Sequence, residues 1–131
     1  MKKLFSILII LLSTTFVFAE QKIESVRIRS FALTNSGWGE SVASEIRSYF
    51  SKGYVQVASF DSTQKCLLIM YDTSRKSNQK VISIRFHDFS LTNSGSGQAV
   101  VRKIRETIGN KTISTFSYDS EQKCILVVYE N

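Results

Sequence analysis

Displaced against itself by 58 residues, the chain lays Lys22–Thr73 over Lys80–Asn131 without a gap, and 21 of the 52 paired positions are identical. Ordinary composition would give about three such matches. The fold therefore has to be assembled from two copies of one unit. "LTNSGWG" at Leu33–Gly39 returns as "LTNSGSG" at Leu91–Gly97, Ile46-Arg47 returns as Ile104-Arg105, and "DSTQKC" returns as "DSEQKC", followed by Tyr71 and Tyr129. The first copy occupies residues 20–73 and the second 80–131, with a linker at 74–79 that holds no apolar residue.

Each copy carries the same run of periodicities. Val26 and Ile28 alternate with Arg27 and Arg29, as Ile84 and Phe86 do with Arg85 and His87, which predicts a half-buried strand. After the glycine loop, Val42, Ile46 and Phe50 are matched by Val100, Ile104 and Ile108 at i, i+4, i+8. That spacing makes one apolar stripe on a helix, with Ser44, Glu45, Arg102 and Lys103 toward water. Gly53 and Gly109 stand near the helix ends, where glycine stops a helix. Strands at 55–60 and 113–118, turns at 61–64 and 119–122, and last strands at 66–71 and 124–129 complete the units. The class is α+β, two tandem β-α-β-β repeats. A right-handed crossover sets the first two strands parallel, with the third between them and antiparallel to both. About 50 residues is too little core for one unit alone, so a single compact globule with the copies in pseudo-twofold array is expected.

The order of elements, the loop before the helix and "FDSTQKCLLIMYD" (Phe60–Asp72) resemble the first three-quarters of a heavy-metal-associated domain, of the ferredoxin-like class. In that family the loop reads approximately G-M-T-C-x-x-C, and its cysteines hold copper or another soft metal. Leu33-Thr34 match the Met-Thr, but Asn35 and Trp38, and in the second copy Asn93 and Ser96, stand where the cysteines would be. The family's last helix and strand have no counterpart, because Tyr71-Asp72 runs into the linker. The resemblance thus implies ferredoxin-like half units, tandem and degenerate, without metal at the loop and without a cofactor.

Residues 1–19 read as a targeting segment. Lys2 and Lys3 precede an apolar run of 15 residues, Leu4–Phe18, and Val17 and Ala19 supply small residues for a peptidase. The run is shorter than the roughly 20 residues that span a bilayer. Cleavage after Ala19 and a periplasmic or secreted protein without a membrane span are expected. Loss of Lys2 and Lys3 leaves 15 basic against 11 acidic residues, a net charge of +4. The basic residues are scattered, so nucleic acid is not an expected partner.

No constellation for catalysis is present. "TNSGxG" has neither the spacing nor the lysine of a phosphate loop, and reads as a helix start capped by Asn35/Ser36 and Asn93/Ser94. His87 is the only histidine and stands in a strand as a surface residue. Asp61 and Asp119 open turns, and Asn110-Lys111-Thr112 is a glycosylation sequon. Trp38, the only tryptophan, has a serine as its counterpart in the other copy and is a candidate partner contact.

The last strands are apolar on both faces: Leu67, Ile69 and Tyr71 on one, Cys66, Leu68 and Met70 on the other, with Cys124, Leu126 and Val128 repeating the second set. Such strands are buried on both faces. The cover is the other copy, a second protomer (a homodimer) or a partner. Cys66 and Cys124, the only cysteines, are a candidate disulfide in an oxidising compartment. The functional expectation is an exported, non-catalytic binding protein for an unknown protein or surface ligand. Its alternative is soft-metal handling by Cys66, Cys124 and Met70, and a third reading is an inhibitor of an exported enzyme.

Overall fold

The computed structural model of the protein describes residues 20–28, 37–85, 96–119 and 123–131, with Trp38 and Ser96 as backbone only. Its elements are β1 (Gln21–Arg27), α1 (Gly37–Tyr49), β2 (Tyr54–Asp61), β3 (Cys66–Asp72), β4 (Gln79–Arg85), α2 (Ser96–Ile108), β5 (Ile113–Asp119) and β6 (Cys124–Glu130). The strands form two three-stranded antiparallel sheets, β1-β3-β2 and β4-β6-β5, so the fold is mixed α+β. The most apolar strand of each copy takes the centre, where both of its backbone edges are paired.

The copies match in detail. Each second strand carries a register shift at the same place, between Val55 and Val57 and between Ile113 and Thr115. Lys65 and Lys123, just before the central strands, both adopt a left-handed backbone with φ 51. Gly109 (φ 66) ends α2, its N–H donating to Arg105 O at 2.8 Å, a closure that favours glycine.

Two hydrophobic cores hold the chain. The second gathers Val100, Ile104 and Ile108 of α2 against Ile84, Ile125, Val127 and Tyr129. The first gathers Val42, Ala43, Ile46 and Tyr49 of α1 against Val55, Phe60, Leu67, Ile69 and Tyr71, and also against Val81, Leu126 and Val128 of the second copy. Alternate residues of β6 therefore belong to different cores, and the layers run sheet 1, α1, sheet 2, α2. Each fully buried aliphatic side chain, such as Ile46, Leu67, Ile69 or Ile125, stabilises the fold by about 1.5–3 kcal/mol.

Within α1, Val42, Ile46 and Tyr49 turn toward sheet 1, while Gly39, Ala43 and Arg47 form a second stripe toward sheet 2. A methyl group on Gly39 would collide with Ser83 Oγ and lie 2.9 Å from Cys124 Sγ. Arg47 Nη2 donates to Val81 O at 3.4 Å, and Nη1 donates to Glu40 Oε1 at 2.5 Å. The helix ends at Tyr49, so Tyr49 is the core residue and Phe50, expected in the stripe, is only partly buried.

The sheets also meet directly, the edge of β2 running along β5. Ser117 Oγ accepts from Phe60 N at 3.0 Å, and Asp119 Oδ2 accepts from Ser62 N at 3.2 Å. Gln79 accepts from Val55 N at 2.8 Å and donates to Val55 O at 2.7 Å. An edge strand that would otherwise offer unpaired N–H groups is thereby satisfied by side chains of the other copy. Composition puts Gln79 at the end of the linker; it opens β4 and is buried.

The packing departs from the expected pseudo-twofold array. Such an axis would set α2 on β1 and β3 as α1 sits on β4 and β6. Among the described residues α2 makes no comparable contact with β1 or β3. The reason is the layering: α1 fills the space between the two sheets and buries Ala43, which leaves α2 on the far face of sheet 2 with the equivalent Val101 61% exposed.

Candidate functional site

The surface this arrangement leaves open is the outer face of sheet 1. Strand register fixes its rows: Ile23–Met70–Val57, then Ser25–Leu68–Ser59, then Arg27–Cys66–Asp61. Ile23 is 72% exposed, Leu68 48% and Val57 41%. Sheet 2 has the same rows, Val81–Val128–Thr115, Ser83–Leu126–Ser117 and Arg85–Cys124–Asp119. There α1 lies on them, and Val81, Leu126 and Val128 are buried. Two of the three rows are identical in residue type between the sheets, one covered and one bare.

The cysteines repeat this contrast. Cys66 Sγ lies 3.1 Å from Ser25 Oγ, and Cys124 Sγ lies 3.3 Å from Ser83 Oγ. Both are free thiols. Cys124 is buried beneath α1, and that burial pushes its thiol pKa up. The structure does not bring the pair together, because Cys66 points outward from sheet 1 and α1 lies between that sheet and Cys124. Met70 shares the face of Cys66 but is separated from it by Leu68. The three soft-metal candidates thus do not converge, and among the described residues no group of three or more His, Cys, Asp or Glu side chains forms a metal-ligating cluster.

The Trp38 backbone belongs to the first turn of α1, and its side chain lies outside the described residues. So do His87 and the capping positions Asn35, Ser36, Asn93 and Ser94, together with residues 1–19. Asp61 takes the turn role expected of it, Oδ1 accepting from Thr63 N at 2.9 Å and Gln64 N at 3.2 Å. Asp119 has a further role that sequence reading missed, as acceptor for the other copy. Ser117 and Gln79 were missed as well. Their signal was present: Ser59/Ser117 and Gln21/Gln79 are equivalent polar residues preserved in both copies.

Among the described residues no helix is long and apolar enough to cross a membrane. Comparison with family models, curated proteins and solved structures gave no match to this chain.

Proposed function

We propose that this is an exported, non-catalytic interaction protein built from two ferredoxin-like β-α-β-β half units, and that it binds through the outer face of sheet 1. One observation carries the reading: the face holding Ile23, Val57, Leu68 and Met70 is open, while the same face of sheet 2 is a packed interface. An apolar patch framed by Ser25, Ser59 and Arg27 has the make-up of a contact surface, apolar at the centre and polar around it. Export rests on the charged and apolar pattern of residues 1–19.

A photo-crosslinking amino acid at Leu68 tests the face in the exporting cell. It should give discrete adducts that the same probe at Lys52, exposed beside the end of α1, does not. Equal yields of adduct from both positions, or none from either, would refute the reading. The processed protein should begin at Glu20, and recovery of residues 1–19 on the mature chain would remove the basis for export.

A further inference from the structure

Unit 1 joins unit 2 through two surfaces, and each has an unused equivalent elsewhere in the chain. The first surface is the outer stripe of α1, Gly39, Ala43 and Arg47, seated on sheet 2. Its equivalent on α2 is Gly97, Val101 and Arg105. That stripe is bare among the described residues: Val101 is exposed, a methyl group on Gly97 would meet none of them within 4 Å, and Gly97, Gln98, Val101 and Arg102 line a shallow groove. The second surface is the outer face of sheet 2, and its equivalent is the open face of sheet 1.

The bare surfaces retain the groups the joint uses. In sheet 2, α1 rests on Ser83 and Cys124, with Leu126 and Val128 beneath. Sheet 1 offers Ser25, Cys66, Leu68 and Met70, and the Ser25–Cys66 pair is set as Ser83–Cys124 is. The side chains that satisfy the β2 edge, Gln79, Ser117 and Asp119, correspond to Gln21, Ser59 and Asp61. Gln21 Nε2 donates to Gln56 Oε1 at 2.7 Å, the counterpart of Gln79 Nε2 donating to Ser114 Oγ at 2.9 Å. In unit 2 this set receives a neighbouring unit. In unit 1 the same set faces outward, and the β5 edge of another molecule would meet it as β2 meets β5.

We propose that the chain assembles head to tail with copies of itself, the Gly97–Val101–Arg105 stripe of one molecule seating on the Ile23–Leu68–Met70 face of the next. The contact repeats, between molecules, the joint already present between the two units. It is heterologous, each molecule offering one surface and receiving the other, so assemblies grow beyond the dimer, into a ring or an open chain according to the rotation at the joint. This rests on the reading of the sheet 1 face as the binding surface, and names its occupant as a second copy of this chain.

Sedimentation velocity on the exported chain, purified after removal of residues 1–19, decides the matter. The sedimentation coefficient should rise with concentration past that of a dimer. Leu68→Glu blocks the sheet end and Val101→Glu blocks the helix end; both sites are exposed, so each variant should melt as the dilute, monomeric parent does and remain monomeric when concentrated. Mixed in equal amounts, the two should form a one-to-one complex and nothing larger, since each retains the end the other has lost. Gly97→Ala, which meets open space within one molecule, should weaken assembly without altering the fold. A parent monomeric up to about 1 mM, a closed dimer, or a mixture that stays monomeric would overturn the proposal. Crosslinks from Leu68 to a different protein, alongside a monomeric parent, would overturn self-assembly while leaving the binding face intact.

Discussion

Tyr49 shows how one side chain ties the first core to its rim. Its ring meets Tyr71 edge-on at 5.3 Å between centroids, and Lys52 Nζ lies 4.2 Å from the ring centroid on the outer side. Burial of the hydroxyl, helped by its hydrogen bond to the Glu24 carboxylate, pushes the phenol pKa up to about 12. In the unfolded chain the same group ionises from about pH 10. Between these values the unfolded chain has released a proton that the native protein keeps, so rising pH draws the equilibrium toward unfolding. The contribution is complete below pH 10 and lost as pH climbs through about 12. Urea titrations across that window should show stability falling more steeply in the parent than in Tyr49→Phe. At neutral pH the variant should lose about 1 kcal/mol with its hydrogen bond. Parallel curves for the two proteins in alkali would show that another group governs the loss.

At the level of elements, β3 and β6 make the sharpest comparison. Leu68 and Leu126 are equivalent in the repeat, one 48% exposed and the other 3%. Leu126→Ala should cost about 2–5 kcal/mol, as truncation of a packed core leucine does, and Leu68→Ala well under about 1 kcal/mol in the monomer. Denaturant midpoints of the two variants test this directly, and equal losses would mean that β3 is covered as deeply as β6. The central position of both strands was legible from their two apolar faces, and the helices from the Val42–Ile46 and Val100–Ile104 spacings. Which face is covered was not legible, because the local sequences of β3 and β6 are nearly alike and the cover comes from elsewhere in the chain. The difference shows only in the assembled molecule: α1 lies between the two sheets and buries Ala43, whereas α2 lies beyond sheet 2 and leaves the equivalent Val101 exposed. The β1 edge misleads for a related reason. Val26 and Ile28 do turn to the core against an exposed Arg27, but upstream Lys22 and Glu24 share that inner face while Ile23 points outward, so the first half of the strand runs against the pattern.

The whole molecule should unfold as one body. Val81, Leu126 and Val128 of unit 2 lie in the same core as Val42, Ile46, Leu67 and Ile69 of unit 1. Neither unit can therefore open without exposing part of the other. Calorimetry should give a single transition whose van't Hoff and calorimetric enthalpies agree, and two resolved transitions would show that the units are thermally separate. The layer order also gives the molecule a grain. A twofold pair turns its matching surfaces toward each other and is finished, whereas this stack has a sheet at one extremity and a helix at the other. Its interior joint is indifferent to how many times it is used. A gene that gained a block of 58 codons would lengthen the stack by one period and leave both extremities as they were.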